Sequence, residues 1–334
     1  MTDTNLKNKL ELHYYFDDDD NHSMDAVIRN KCENEILQIL TSVSKELNIN
    51  VKTETEAFQE GGLKELWVFA GSVDGQQLIN VSNFLVAVLA LILSRIPTKK
   101  SKLDRIEQQL SIEEKQLNLE LLKNELAEKG INQDKVNLDR LDYVFNKNIK
   151  VIKHKSNFYK LLSKYPKVNK LSTTKLDTNN KPVEEPSIVE RVDFDNFILE
   201  SEDLEPLKDE NATIEIISPV LKQGNFKWKG FYNQDSTPID FSMKDKLFKN
   251  RVLDEGVSFK NGTFIDCILE ISRKIDDMGN VYFSNYSVLT VLKRHDDGIA
   301  VETKQGKAYR RKKEAKKSQL SLFNEEDKPI DNME

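Results

Sequence analysis

The sequence predicts a multidomain α+β protein with a small N-terminal α/β unit, an amphipathic helical spacer and a small C-terminal β-barrel of SH3-like or OB-like type. Three observations lead to this fold class. The chain has 334 residues, more than one small core needs. Its 38% of hydrophobic residues can form real cores, and its 32% of charged residues suits long solvated helices and linkers. The hydrophobic pattern also changes from helical spacing before residue 150 to alternation after residue 210.

Residues 1–75 are predicted to form the N-terminal α/β unit. An aromatic-rich strand begins at Leu10, and apolar residues at helical spacing predict a helix over 24–47. A second strand is expected over 50–55. Two glycines then precede a short helix that is predicted over 63–69. This order of elements indicates a small α/β unit.

Residues 76–97 are predicted to form an apolar helix that is either buried or transmembrane. The run from Phe84 to Leu93 is unbroken, and the wider stretch 78–96 is long enough to cross a bilayer. Lys99 and the basic residues after it are typical of the cytoplasmic flank of a membrane helix. Insertion would require translocation of the whole N-terminal unit without an apolar signal segment. The pattern therefore favours a buried or self-associating helix and leaves the membrane alternative open.

Residues 99–150 are predicted to form the amphipathic helical spacer. Leucine and isoleucine side chains recur on one face, with Glu and Lys on the opposite face. The heptad register is imperfect. A dimeric coiled coil, which would make the chain a homo-oligomer, and a helical hairpin that packs on a neighbouring domain are therefore both open.

Residues 151–210 are predicted to connect the spacer to the C-terminal domain, and their charge changes sign. No Asp or Glu occurs over 146–176, whereas 184–210 are strongly acidic and interrupted by prolines. Lysines with interleaved aromatic residues can neutralise phosphates and stack on bases, so the basic strip is a candidate site for DNA or another polyanion. Its candidate contacts are Lys147, Lys150, Lys153, Lys155, Lys160, Lys164 and Lys167. The alternative is a run of charges that is merely solvated.

Residues 211–300 are predicted to form the β-barrel. Six strands are expected, including one over 256–260, with one short helix over 245–252. The dipeptide Asn261-Gly262 and the tripeptide 278–280 predict hairpin turns. A six-strand meander of this size suggests a barrel of the kind that binds nucleic acid or peptides, although a fold alone does not establish a function.

Aromatic residues of the predicted barrel could have either of two roles. Trp228, Phe231 and Tyr232 could form a face on which bases stack. Aromatic residues at this spacing are more often part of a barrel core. The core interpretation is therefore favoured.

Residues 301–334 are predicted to be a basic, flexible tail. Its candidate contacts to DNA are Arg310, Arg311, Lys312 and Lys313. The pentapeptide that follows consists of Gln319, Leu320, Ser321, Leu322 and Phe323. It resembles the motif by which bacterial polymerases and repair proteins bind the replication sliding clamp. The resemblance implies that Leu322 and Phe323 enter an apolar pocket of the clamp, that Gln319 makes polar contacts and that Leu320 adds apolar contact.

No catalytic motif, cofactor site or metal site is predicted. The sequence has no Gly-rich phosphate loop, no zinc-protease motif and no nucleophile elbow. Its two cysteines lie in different segments without ligand spacing, which argues against a disulfide framework and fits a reducing compartment. An acidic N-terminal cluster could hold a divalent ion in a nuclease-like centre, but a solvated turn is the more common structure for it. This cluster consists of His13, Asp17, Asp18, Asp19, Asp20 and His22.

The preferred interpretation is a non-enzymatic, cytoplasmic bacterial protein that binds DNA and the replication sliding clamp. The layout of the chain resembles modular proteins of bacterial phage defence and mobile elements. The alternative is a membrane-anchored defence effector at the inner membrane, whose apolar helix perturbs the bilayer under control of the C-terminal domain.

Overall fold

The chain divides into two units in the computed structural model. The first unit comprises Met1–Glu202 and Ile275–Asn280, and the second comprises Asp203–Lys274 and Val281–Glu334. The structure describes all residues except 1–7, 17–22, 49–50, 57–62, 72–75, 95–142, 178, 255–256, 258, 297 and 326–334. Most of the spacer predicted over 99–150, and with it the coiled-coil prediction, lies outside the described residues.

The first unit contains one antiparallel sheet of five strands, in the order β2-β3-β1-β4-β5. Leu10, Leu12 and Tyr14 of β1 are fully buried, whereas His13 and Tyr15 point to the other face of the sheet because side chains alternate along a strand. The strands are β1 (Asn8–Phe16), β2 (Val51–Glu56), β3 (Leu63–Gly71), β4 (Val168–Leu176) and β5 (Ser187–Glu190).

Helices cover one face of this sheet and share its hydrophobic core. Cys32 and Ile36 of α1, Leu89 of α2 and Phe158 of α3 belong to the same buried cluster as Leu10. The helices are α1 (Ala26–Leu47), α2 (Gln76–Ser94) and α3 (Ile149–Lys164), and a 3-10 helix follows β5 over Arg191–Phe197. Described residues from Leu10 near the start of the unit to Phe197 near residue 200 therefore contribute to one core.

The apolar helix predicted over 76–97 is α2, and protein buries it. Leu85, Val88 and Leu93 have no exposed surface. The hydroxyl of Tyr159 in α3 donates a hydrogen bond to the carbonyl oxygen of Leu93 at the end of α2. The buried alternative is thus the one in the structure. Across the described helices, none combines the length and apolar character that crossing a membrane requires.

Two sequence predictions for this unit are wrong. Residues 63–69, predicted as a short helix, belong to β3, which pairs with β1 on one side and β2 on the other. The connecting segment predicted over 151–210 instead supplies α3, β4, β5 and the 3-10 helix, and its last residues begin the next strand, Asp203–Ser218. Its core residues include Phe158, Leu162 and Leu171, which are fully buried. The prediction of a connecting segment rested on the charged residues of 151–210. It gave too little weight to the apolar residues that lie at regular spacing between them.

The second unit contains a closed barrel of five strands. Its order is β6-β7-β8-β10-β9 with β9 returning to β6, and β8 and β10 run parallel while β11 extends the sheet beside β10. The strands are β6 (Asp203–Ser218), β7 (Trp228–Tyr232), β8 (Pro238–Met243), β9 (Phe264–Ile275), β10 (Val281–Asp296) and β11 (Ile299–Glu302). Two helices accompany them, α4 (Lys246–Asp254) and α5 (Lys304–Glu325).

The structure of the barrel confirms one sequence prediction in part and contradicts two others. Trp228 is only 1% exposed and packs with Phe241 and Phe248, so it belongs to the core as favoured. Phe231 and Tyr232 are only partly buried, and Tyr232 packs against the edge of that core. The predicted strand over 256–260 is absent, because 257, 259 and 260 have no strand conformation and the other two residues lie outside the described part. The sheet is also not a meander, since β8 pairs with β10 rather than with the next strand in sequence.

The predicted flexible tail forms α5, which docks on β10. The backbone N–H of Gly306 donates to the hydroxyl oxygen of Thr303 over 2.9 Å, and that hydroxyl donates to the carbonyl oxygen of Leu292 over 3.1 Å. A Cβ atom on Gly306 would lie 2.2 Å from the same carbonyl oxygen. Only glycine permits this approach. The sequence prediction missed this helix because most of its residues are charged. The helix is held by its packing on β10, which the sequence of the tail does not show.

Candidate nucleic-acid interface

The first turns of α5 present a basic surface to solvent. Lys304, Lys307 and Arg311 lie at helical spacing and are exposed, and Lys312 beside them is exposed as well. No acidic residue interrupts the sequence between Glu302 and Glu314. Side chains three and four residues apart share one side of a helix, so these cations form a continuous positive face.

The other side of α5 is tied to the barrel by ion pairs. Arg310 contacts both carboxylate oxygens of Glu302 over 3.1 and 3.2 Å. The ammonium group of Lys313 lies 2.8 Å from Glu210 of β6. Hydrogen bonds from Lys313 and Tyr309 hold the pKa of Glu210 below its usual value. Of the four tail residues predicted to contact DNA, Arg310 and Lys313 therefore pair with carboxylates while their side chains stay 60% and 47% exposed, and Arg311 and Lys312 face solvent.

The basic strip predicted over 146–176 is not continuous. Lys153 and Lys155 are 3% and 2% exposed, respectively, so neither can reach a polyanion in solution. Lys153 lies 2.8 Å from a carboxylate oxygen of Glu202 and 3.2 Å from one of Asp277. The exposed members of the strip are Lys147, Lys150, Lys160, Lys164 and Lys167.

The aromatic residues of that strip are not available for base stacking. Phe158 and Tyr159 are fully buried in the core of the first unit. Tyr159 stacks on Phe197 at a centroid distance of 4.4 Å, and burial raises its pKa well above the usual value. The strip therefore offers separate lysines rather than the combination of charge and stacking that the sequence suggested.

A cavity of about 210 Å³ lies beside the buried lysine. Asn157 next to it donates to the carbonyl oxygen of Asp277 over 3.0 Å, and His154 lies 2.7 Å from Glu35 of α1. Its lining residues are Lys153, Ser156, Asn157, Lys160, Leu199, Glu200, Ser201 and Glu202. Because lysines and glutamates both line it, the cavity has no strong field of one sign and does not suit a polyanion.

Two other predicted sites are only partly described. The backbone of α5 stays helical through the clamp-like pentapeptide, but the side chains of Gln319, Leu320, Leu322 and Phe323 lie outside the described residues. His13 lies on β1, whereas the four aspartates at 17–20 and His22 lie outside the described residues. In the described part of the chain, no group of three or more His, Cys, Asp or Glu side chains could hold a metal ion.

The structure also reveals exposed aromatic residues that the sequence analysis missed. Tyr282 and Phe283 at the start of β10 are 47% and 55% exposed. Phe283 lies 6.5 Å from Tyr286, which lies 6.3 Å from Tyr232 of β7, as measured between ring centroids. Strand alternation predicts that one of two consecutive residues points inward, so no sequence signal marks both as exposed.

Comparison with protein-family models, with curated proteins and with solved structures finds no match for this chain.

Proposed function

We propose that the chain is a nucleic-acid-binding protein whose C-terminal unit binds phosphate groups through α5. The observation that carries the proposal is the exposed face of Lys304, Lys307, Arg311 and Lys312 on a helix that is fixed to the barrel. Neutralisation of phosphates by such side chains releases counterions and drives association. Ion pairs and the hydrogen bond from Gly306 to the Thr303 hydroxyl, which we call the Thr303 cap, already order the helix. The chain therefore loses less conformational freedom on binding than a disordered tail would.

The barrel supports this proposal, and we propose that it is of the OB type. Its order β6-β7-β8-β10-β9, its parallel pair β8 and β10, and the helix α4 between β8 and β9 agree with that type. OB barrels bind oligonucleotides and oligosaccharides. Tyr282 and Phe283 supply exposed rings on which the bases of a single strand can stack. A fold alone does not establish a function. The barrel type and its exposed rings therefore only add support to the proposal that α5 binds phosphate groups.

The test is the salt dependence of binding to a single-stranded oligonucleotide. A variant with Lys304→Gln, Lys307→Gln, Arg311→Gln and Lys312→Gln should bind more weakly, and the slope of log K against log salt should become less steep by about 3, at about 0.7 per phosphate contact. A matched variant that loses the same charge from the exposed lysines of the basic strip carries Lys147→Gln, Lys150→Gln, Lys160→Gln and Lys164→Gln. It should keep the wild-type slope. Equal slopes for wild type and the α5 variant would refute the proposal.

We propose docking to the replication sliding clamp as a second function. The pentapeptide at 319–323 supports it, because it lies in α5 beyond Lys313, which pairs with Glu210 of the barrel. Burial of Leu320, Leu322 and Phe323 would contribute about 1–2 kcal/mol each, offset by the cost of ordering the segment. The three side chains together contribute about 3–6 kcal/mol before that cost, so apolar burial alone corresponds to a Kd of about 40 μM at best. The association with phage defence or mobile elements stays a prediction, since it depends on the layout of the chain alone.

Titration of the purified clamp tests the second function. Leu322→Ala with Phe323→Ala should abolish binding and leave the fold intact. Ser321→Ala is the matched control, because the resemblance assigns no contact to that residue, and it should bind like wild type. Absence of wild-type binding at about 1 mM clamp would end this proposal without affecting the nucleic-acid proposal.

A further inference from the structure

One end of the barrel in the second unit carries exposed apolar side chains among lysines. The loop over 219–227 joins β6 to β7, and α4 follows β8. Because β6 and β8 both run antiparallel to β7, this loop and the N-terminus of α4 lie at the same end of the barrel. Leu221 and Phe226 of the loop are 65% and 60% exposed. We refer to the loop over 219–227, together with Lys246 and Lys249 of α4, as the basic loop surface.

Direct contacts hold the loop against α4. The ammonium group of Lys249 donates a hydrogen bond to the carbonyl oxygen of Gly224 over 2.6 Å. The ring of Phe226 lies against the same glycine, since a Cβ atom added to Gly224 would be 2.7 Å from that ring. Phe226 is therefore held at the outside of the loop, next to a cation and with more than half of its surface in water.

The basic loop surface has a positive charge that its own segments do not offset. No Asp or Glu occurs over 216–234 or over 246–253. Among the residues that the structure describes, none forms an ion pair with the lysines of this surface. These lysines are Lys222, Lys227 and Lys246, which are exposed, and Lys249, which is half-buried.

The carboxylates of the adjoining elements do not cancel this charge. Asp245 is 6% exposed and accepts hydrogen bonds from the backbone N–H groups of Phe248 and Val291. Glu215 lies four residues before the loop, which is about 13 Å along β6. Asp254 lies at the C-terminal end of α4. Charges at such separations are largely screened at physiological ionic strength, so the loop end of the barrel stays positive.

We propose that the basic loop surface binds the surface of an anionic lipid bilayer. Leu221 and Phe226 would enter the headgroup region, and the lysines would contact lipid phosphates. A bilayer meets both properties of this surface, because it offers anionic groups to the lysines and hydrocarbon to the apolar side chains. A nucleic-acid strand would meet only the charge, since Leu221 has no ring on which a base can stack.

The position of α5 favours an extended ligand over a short acidic peptide. Gln305 of α5 donates a hydrogen bond to Asp245 over 3.0 Å, so the basic start of α5 adjoins the start of α4. A membrane surface is broad enough to contact the loop and both helix starts at once. The proposal does not depend on the function of α5, because the apolar side chains of the loop distinguish it.

Co-sedimentation of the full chain with vesicles tests the proposal. Wild type should bind vesicles of phosphatidylserine and phosphatidylcholine and should not bind vesicles of phosphatidylcholine alone. Leu221→Ser with Phe226→Ser keeps every charge and should weaken binding by about tenfold or more. Lys222→Gln, Lys227→Gln and Lys246→Gln together should weaken it by about fivefold per lysine. Val183→Ser with Val192→Ser changes two exposed valines of the first unit and should bind like wild type.

Oligonucleotide binding by the same variants separates the bilayer from a nucleic-acid strand. Leu221→Ser with Phe226→Ser should bind a single-stranded oligonucleotide as wild type does. Weaker oligonucleotide binding with unchanged vesicle binding would assign the surface to nucleic acid and overturn the proposal. Failure of wild type to bind the anionic vesicles, or equal vesicle binding by wild type and this variant, would overturn it as well.

Tryptophan fluorescence tests whether the loop enters the bilayer. Trp67 and Trp228 are buried and give a constant background. The indole introduced by Phe226→Trp should be quenched by anionic vesicles that contain brominated lipid, whereas the indole introduced by Val192→Trp should not. Quenching no greater than that of wild type in the vesicle-bound Phe226→Trp variant would overturn the proposal.

Discussion

Arg191 donates a hydrogen bond from its guanidinium group to the backbone carbonyl oxygen of Val168 over 2.7 Å. The same guanidinium donates to the carbonyl oxygens of Ser163 over 2.6 Å and Tyr165 over 3.0 Å. These carbonyl groups lie at the end of α3 and the start of β4, where helix geometry leaves acceptors without partners. One side chain from the 3-10 helix therefore closes the C-terminal end of α3, although in the sequence Arg191 lies within an acidic run.

Replacement of Arg191 should destabilise the first unit. Arg191→Ala leaves partly buried carbonyl groups without donors, and we expect the free energy of unfolding to fall by about 2–3 kcal/mol. Arg191→Lys should recover only part of this, because an ammonium group lacks the planar fork that reaches several acceptors at once. Urea denaturation measures the change. Lys164→Ala removes an exposed cation from the same helix end and should have little effect; a similar loss there would contradict the capping role.

Glu65 should make the stability of the first unit depend on pH. It is 2% exposed, its carboxylate accepts from the hydroxyl of Tyr14 over 3.3 Å, and it shares Arg29 with Glu33. Burial raises its pKa from 4.5 to about 7, with the charge of Glu33 contributing. A carboxyl whose pKa is raised on folding stabilises the protein below its unfolded pKa, and this contribution is lost as pH rises through 7. The loss should be about 3 kcal/mol.

Denaturation of wild type and Glu65→Gln across pH 4.5 to 8 measures this contribution. The variant should lack the component that wild type loses over this interval, because glutamine does not titrate. Glu11→Gln is a control on the neighbouring strand. Identical pH profiles for wild type and Glu65→Gln would show that burial does not perturb this carboxyl as expected.

Gly306→Ala should detach α5 from β10. The added Cβ atom would meet the carbonyl oxygen of Leu292 at 2.2 Å, and neither backbone can move without breaking the Thr303 cap. The expected cost is about 1–3 kcal/mol, enough to increase opening of the helix by an order of magnitude or more. Hydrogen exchange of the amides over 306–313 should accelerate accordingly. Ala308→Ser, at an exposed position of the same helix, should leave exchange unchanged.

Lys153 and Lys160 should respond differently to substitution although both belong to the predicted basic strip. Lys153→Ala removes a buried cation from Glu202 and Asp277 and should lower stability by about 1–3 kcal/mol. Lys160→Ala removes an exposed cation and should change stability by less than about 0.5 kcal/mol. Thermal unfolding compares the two. Equal effects would mean that the buried ion pairs of Lys153 do not stabilise the fold.

Local signals in the sequence determined several features of the two units. The helical spacing of apolar residues predicted α1, and alternation predicted β9 and β10. The turn at 278–280 followed from Gly279, whose positive φ of 75° few other residues adopt. The unbroken apolar run over 84–93 predicted a helix that is shielded from water, and Leu85–Leu93 are indeed largely buried. Each of these features depends on neighbours within a few residues along the chain, which the sequence displays directly.

Tertiary structure alone decided the features that depend on distant partners. β3 forms because β1 and β2 supply hydrogen bonds on both of its edges, and the barrel closes because β8 meets β10 in parallel. Whether each lysine is buried or exposed also depends on distant partners. Lys153 is buried against Glu202 and Asp277, whereas Lys160 on the same helix stays in solvent. The sequence does not distinguish a buried lysine from an exposed one. Burial of the charge is favourable only where the fold places carboxylates from remote segments beside it.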